Sequence, residues 1–209
     1  MKRFLLLISL FLVFLLGSAA WYYSRFHTKK VNHFYSNTSR ALLDKILLKA
    51  NQAKQFAISK KFDSTICFLI DMSEESGKKR FFVVDLQKDS VLNSGLVTHG
   101  SCGQRWLTGR EYGNAVGCGC TSLGRYKIGA PYKGTFGLAY KLHGLDTSNS
   151  NAFKRYVVLH SHECVPDNEL DPYPLCQSQG CPTVSPGFLK ELATIIDKRS
   201  KPVLLWIYQ

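Results

Sequence analysis

The first 66 residues contain no cysteine, and the first 61 contain one acid, Asp44, against eleven lysines and arginines. The missing cysteine leaves no residue for an N-terminal lipid-modified thiol. The missing acid concentrates the formal net charge of +12 in the N-terminal third, because residues 62–209 carry 16 bases and 14 acids. A nucleic-acid-binding domain would carry its cations on the folded face itself, so this distribution argues against that class. Proline is scarce at seven residues, whereas 45% of the chain is hydrophobic and 12% aromatic. That supplies one compact domain, hardly two, and argues against disorder or a repeat array.

Lys2 and Arg3 precede a run from Phe4 to Leu16 in which Ser9 is the only polar side chain. Two readings stay open. Gly17, Ser18, Ala19 and Ala20 fit a signal-peptide cleavage site, whereas an apolar stretch continuing through Trp21, Tyr22 and Tyr23 is long enough to span a bilayer. The aromatic trio resembles an interfacial belt and favours the uncleaved anchor, although Arg25, Lys29 and Lys30 weaken the charge bias. Residues 1–23 are therefore expected to be a signal peptide or anchor. Residues 24–62 follow as a basic membrane-proximal segment, and 63–209 as a catalytic domain.

Within the basic segment, Leu42, Leu43, Ile46, Leu47, Ala50, Ala53 and Ala57 fall on one helical stripe, which predicts an amphipathic helix over 39–59 with Asn37, Thr38 or Ser39 as N-cap. Its stripe is expected to pack on the following domain. From Ser64 the period shortens, and Ile66–Ile70, Arg80–Leu86 and Ser90–Val97 read as a three-stranded meander. Twelve of the 16 glycines lie between Gly95 and Gly144, which predicts turns, bulges and short strands there. Tyr156–Leu159 and Pro202–Tyr208 read as buried strands. Between them Ser185 as N-cap, Pro186, an apolar face of Leu189, Leu192, Ile195 and Ile196, and Lys198 and Arg199 in the last turn mark one helix. The fold class is mainly β, a β-rich α+β domain.

Chemistry concentrates at the end of one buried strand, in Val157-Val158-Leu159-His160-Ser161-His162, and before the capped helix, in Ser178-Gln179-Gly180-Cys181-Pro182. A cysteine thiolate is a nucleophile, and an imidazole takes its proton and later returns one to a leaving amine, as acyl transfer requires. Gly180 permits a tight turn that brings consecutive N–H groups to a substrate carbonyl.

Here the sequence resembles the L,D-transpeptidases of bacterial cell-wall synthesis, the YkuD-type fold, over residues 64–209. Seventeen residues separate His160 from Ser178-Gln179-Gly180-Cys181. Phe82–Leu86, Val97–Gly100, Ser122–Tyr126 and Gly180–Val184 look most like the murein L,D-transpeptidase catalytic-domain branch of Gram-negative envelopes. The resemblance implies a β-sandwich or barrel with a few short helices. It implies Cys181 as nucleophile, His160 as general base and acid, the Ser161 backbone carbonyl as its orienting group, and Gly180 and Cys181 as oxyanion N–H donors. Ser178, Gln179, Tyr126, Arg155 and His99 are expected at the substrate, with Tyr132 and His143 as further cleft residues. Gln179 stands where many members carry histidine, and Pro182-Thr183 replaces an apolar residue followed by Arg or Asn. The implied partners are peptidoglycan stem peptides on the periplasmic side of the envelope, with no metal or organic cofactor.

Setting Cys181 aside leaves Cys67, Cys102, Cys118, Cys120, Cys164 and Cys176, which allow 15 pairings, and Cys164–Cys176 is the bridge expected across the loop between His160 and Cys181. Cys118 and Cys120 are too close for an easy mutual bridge. A competing reading converges His160, His162 and Cys164 on zinc, with Cys176 or Cys181 as fourth ligand, because alternate residues of a strand share a face. A third keeps the fold as a non-catalytic wall-binding protein, a reading suggested by Gln179. Water in place of an amine acceptor would give L,D-carboxypeptidase activity.

Overall fold

A computed structural model describes residues 16–18, 21, 40–104 and 110–209. The chain divides into two compact units, Met1–Lys45 and Ile46–Gln209. In the first, Leu16, Gly17, Ser18 and Trp21 are helical. The rest of the expected signal or anchor, the candidate caps Asn37, Thr38 and Ser39, and His27 and His33 lie outside the described residues. Among the described residues no helix is long and apolar enough to cross a membrane.

Helix α1 (Arg40–Ser59) enters the second unit and buries Ile46, Ala50, Ala53 and Ala57, the four-three-four spacing of one helical face. The small alanines let the helix backbone approach closely. Lys49 places its Nζ 4.6 Å from the Trp206 ring centre and 4.8 Å from that of Tyr208, so α1 covers the face of the sheet that carries those rings.

Eight strands form one mixed sheet: β1 (Ile66–Asp71), β2 (Phe81–Asp85), β3 (Ser90–Gly95), β4 (Gly124–Gly134), β5 (Gly137–Gly144), β6 (Val158–Ser161), β7 (Thr183–Val184) and β8 (Leu204–Tyr208). Their spatial order is β3-β2-β1-β8-β4-β5-β6-β7. The β1–β2–β3 meander is antiparallel, whereas β8 inserts parallel to β1 and antiparallel to β4. Every residue of β1 is buried. Phe68 and Ile70 join the main core, and Leu69, paired with Trp206, faces the α1 side. The main core gathers residues from β1, β2, β4, β5, β6, β7 and β8 with Phe188, Leu189, Leu192 and Ala193 of helix α2 (Pro186–Ile196). This is the mainly-β architecture the resemblance implies.

Several boundaries depart from the sequence reading. The Gly-rich stretch holds the two longest strands, 11 residues in β4 and 8 in β5. Register shifts between Ile128 and Pro131, where a bulge absorbs a proline that has no N–H to donate. Arg80 precedes β2 instead of starting it. Its guanidinium is fully buried, with Nε and Nη2 on the Val97 carbonyl at 3.1 and 2.9 Å and Nη1 on that of Glu74 at 3.0 Å. Tyr156 is not in a strand: its φ is +57° and it is 84% exposed, because Val157 N–H donates to the Ala152 carbonyl and closes a turn.

Helix α2 starts as expected. Ser185 accepts from Phe188 N–H at 3.1 Å, Pro186 opens the first turn, and Phe188, Leu189, Leu192 and Ala193 are buried. The helix ends at Ile196 with Asp197 as cap, so Lys198 and Arg199 lie just beyond the last turn. Ser185→Ala removes the cap and the hydroxyl's bond to Asp167. It should destabilise the fold by about 1–2 kcal/mol, read as a lower urea midpoint at unchanged slope. An unaltered midpoint would show that the cap contributes nothing.

Candidate active site

The parallel pairing of β6 with β7 sets His160 beside Thr183 and Ser161 beside Val184. Cys181 lies two residues before Thr183, at the end of a turn held by Gly180 at φ +103°. A Cβ at Gly180 would stand 2.5 Å from the Cys120 carbonyl oxygen and 2.9 Å from Arg155 Nη2, so only glycine fits. The Cys181 Sγ accepts from Val158 N–H at 3.5 Å and donates to the Tyr156 carbonyl at 3.7 Å. The left-handed Tyr156 thus presents its backbone to the sulfur.

His160 is 8% exposed. Its Nδ1 lies 3.0 Å from the Ser161 carbonyl, which only accepts, so Nδ1 carries the hydrogen. Nε2 of the neutral ring is then an acceptor, and it takes the Thr183 hydroxyl at 3.0 Å. Among the described residues no direct hydrogen bond joins His160 to Cys181. Phe136, at the tip of the β4–β5 hairpin, stacks on the imidazole with ring centres 5.2 Å apart and meets His162 edge-on. Burial lowers the His160 pKa below its ordinary value. The Ser161 carbonyl opposes that shift and His162 adds to it. Burial raises the Cys181 thiol, against the Val158 N–H and the charge of Arg155. Both shifts favour the neutral forms, a thiol and an imidazole rather than an ion pair.

The other expected residues take different places. Ser178 accepts from Gly180 N–H at 3.1 Å, which turns that donor inward and leaves Cys181 N–H as the other member of the expected oxyanion pair. Gln179 is exposed, its amide oxygen lying over Gly119. Tyr126 is fully buried and donates to the Ser122 carbonyl at 2.7 Å, so it cannot touch substrate; its place on β4 between β5 and β8 is the reason. His99 is 4% exposed, with its pKa pushed down to about 4 by burial and by Arg80 and Arg110, while its carbonyl accepts from Ser178 N–H. Arg155 binds the Gly113 and Cys120 carbonyls at 2.9 and 2.6 Å and so braces the loop behind Gly180. Tyr132 lines a pocket next to Cys181, and His143 stacks on Phe153.

Thr183 and Thr98 were not singled out from the sequence. Thr98 N–H donates to the Thr183 carbonyl, Thr183 N–H to Thr98 Oγ1, and Thr98 Oγ1 to the Cys181 carbonyl. The replacement of an Arg or Asn by Thr after Pro182 was the available signal for Thr183. Two disulfides form, Cys102–Cys120 and Cys164–Cys176, while Cys67, Cys118 and Cys181 are free. Six cysteines could have paired, but Cys67 is buried in β1, out of reach of a partner, and Cys120 takes Cys102 and leaves Cys118. The Cys164–Cys176 bridge consumes the Cys164 thiolate that the zinc reading needs and one of its two alternative fourth ligands. His162 Nδ1 already accepts from Cys164 N–H, and among the described residues no group of three candidate ligands converges.

The L,D-transpeptidase catalytic-domain family model matches residues 37–208, and the chain belongs to that family. No curated protein matches it. Among solved structures it is similar to the helical cell shape determining protein Pgp2 (K307A mutant) from Campylobacter jejuni, at 13% identity and a TM-score of 0.46, over 75% of this chain and 54% of that one. An L,D-transpeptidase from Xylanimonas cellulosilytica is similar at 16% identity and a TM-score of 0.39, over 74% of this chain and 68% of that one. The chain thus spans about half the length of the Campylobacter protein.

A thiol raised by burial should alkylate slowly. Iodoacetamide labelling of the Cys181 peptide, followed by mass spectrometry so that Cys118 is counted apart, should still accelerate above pH 9. A plateau reached by pH 7 would show a preformed thiolate.

Proposed function

We propose that the chain is a cysteine L,D-transpeptidase acting on peptidoglycan stem peptides. The observation that carries this reading is the shared anchoring of the two reactive groups. Strand β6 supplies both the Val158 N–H on Cys181 Sγ and His160, and the segment after Cys181 supplies the hydroxyl on His160 Nε2.

In the reaction, His160 Nε2 takes the Cys181 proton as Sγ bonds to the carbonyl carbon of the L-centre at stem position three. The Cys181 N–H faces the developing oxyanion. The C–N bond to the terminal D-residue breaks, and its nitrogen receives the proton from Nε2. An acceptor amine then attacks the thioester, forming a new amide and restoring the thiol. Water as acceptor gives L,D-carboxypeptidase activity from the same intermediate. The Ser161 carbonyl holds Nδ1–H throughout and favours the imidazolium that forms between steps. The chemistry requires no metal or organic cofactor.

The two disulfides favour an oxidising compartment, and with the apolar N-terminal segment they support a place on the periplasmic side of the cytoplasmic membrane. Ser178 and Gln179 border the thioester position and are assigned to substrate binding. The exposed Gln179 amide can donate a hydrogen bond but cannot titrate.

Full-length protein incubated with disaccharide-tetrapeptide muropeptides should give a dimer lacking one terminal D-alanine, or a tripeptide if water is the acceptor, by mass spectrometry. Cys181→Ala should give neither, and His160→Ala should slow turnover by about 10²-fold or more. A larger loss in His162→Ala than in His160→Ala would move the base to His162. Unchanged substrate with the parent protein would favour the wall-binding reading.

A further inference from the structure

A pocket of about 270 Å³ opens beside the nucleophile, lined by Tyr132, Lys141, Phe153, Tyr156, Val157 and Val158. Two of these residues touch Cys181 Sγ through their backbone, Tyr156 by its carbonyl and Val158 by its N–H. A group seated in the pocket therefore lies within about one residue of the carbonyl under attack. The walls are aromatic and aliphatic, and the lining contains one charge and no acid. Lys141 holds its Nζ 5.6 Å from the Tyr132 ring centre and 5.5 Å from that of Phe153. Ring faces fix the ammonium at the pocket while leaving its hydrogens available to a ligand.

We infer that this pocket is the subsite for the leaving D-residue and that Lys141 reads its free terminal carboxylate. The inference rests on the transpeptidase reading for the identity of the ligand. Three parts of a stem peptide lie within one residue of the attacked carbonyl, and the preceding residue carries its carboxylate without an apolar side chain to meet the aromatic walls. The arm of the diamino acid ends in an ammonium, with a carboxylate beside it in diaminopimelate, so it brings Lys141 no net anion and no apolar tip. The terminal residue combines a small apolar side chain with a carboxylate, and it matches both the aromatic walls and the single cation. The pocket thereby restricts attack to the bond that precedes a chain end, because an internal residue presents a neutral amide where Lys141 expects an anion. The charge-assisted contact is stronger than the neutral hydrogen bond that an amide could accept in its place.

Binding separates this inference from catalysis. Full-length Cys181→Ala protein, titrated calorimetrically with a stem tetrapeptide ending in D-alanine and with the same peptide ending in D-alaninamide, should prefer the free acid by about tenfold, or about 1.4 kcal/mol. Adding Lys141→Met, which keeps the stem over the rings and removes the charge, should abolish that preference. Lys141→Arg should retain it. Matching thermal melts for these variants establish that the fold is intact. Equal binding of acid and amide by Cys181→Ala, no binding of either, or a preference that survives Lys141→Met would overturn the subsite. A preference that depends on Lys141, combined with no Cys181 thioester and no product in the parent protein, would instead overturn the transpeptidase reading and leave the carboxylate site standing.

Discussion

Room for one hydrogen atom at Gly180 underlies the rest of the site. Its positive φ turns the chain so that Cys181 leaves the loop facing strand β6, and its α-carbon sits against the Cys120 carbonyl with no space for a side chain. That carbonyl is fixed from two sides, by Arg155 and by the Cys102–Cys120 disulfide. The loop through Gly113 and Cys120 therefore acts as a wall against which the turn before Cys181 is pressed. Thr98, joined by hydrogen bonds to both Cys181 and Thr183, fixes the other side.

The sheet order explains why residues so distant in sequence meet here. Strand β7 is only two residues long, yet it pairs in parallel with β6, and α2 leaves it directly into the main core. The short strand is held between a backbone ladder and a packed helix, so the segment just before it inherits their rigidity. Cys181 thus sits at the boundary between a loop, which can supply unusual backbone angles, and a core element, which cannot shift.

The parts of this arrangement that were legible in the sequence are the local ones. Helix α2 announced itself through Ser185 and Pro186, the meander through alternating runs, and α1 through the spacing of its buried stripe. The Cys-His pair was legible from residue type, a histidine ending an apolar run and a Gly-Cys before the capped helix, and the family resemblance added the expected roles. Non-local facts were hidden. Nothing around Arg80 signals that Val97 and Glu74 carbonyls would bury its guanidinium, and nothing around Arg155 signals that it braces a loop. Tyr126 looked like a ligand contact because aromatic residues serve both roles, and the strand neighbours that bury it are 18 and 79 residues away. Tyr156 read as strand because it begins an apolar run. Its left-handed turn depends on a bond to Ala152 that residue type does not reveal.

The Thr183 hydroxyl owns a single hydrogen and stands 3.0 Å from His160 Nε2 and 3.3 Å from the Cys181 carbonyl oxygen, both acceptors while the ring is neutral. It can satisfy only one of them. Once Nε2 gains a proton the ring becomes the donor, the threonine oxygen receives it, and the hydroxyl hydrogen is released to the Cys181 carbonyl. Protonation of the imidazole therefore reverses one bond and frees the hydroxyl to make a second, onto the backbone of Cys181, so the peptide group holding the sulfur senses the charge of the His160 ring without touching it.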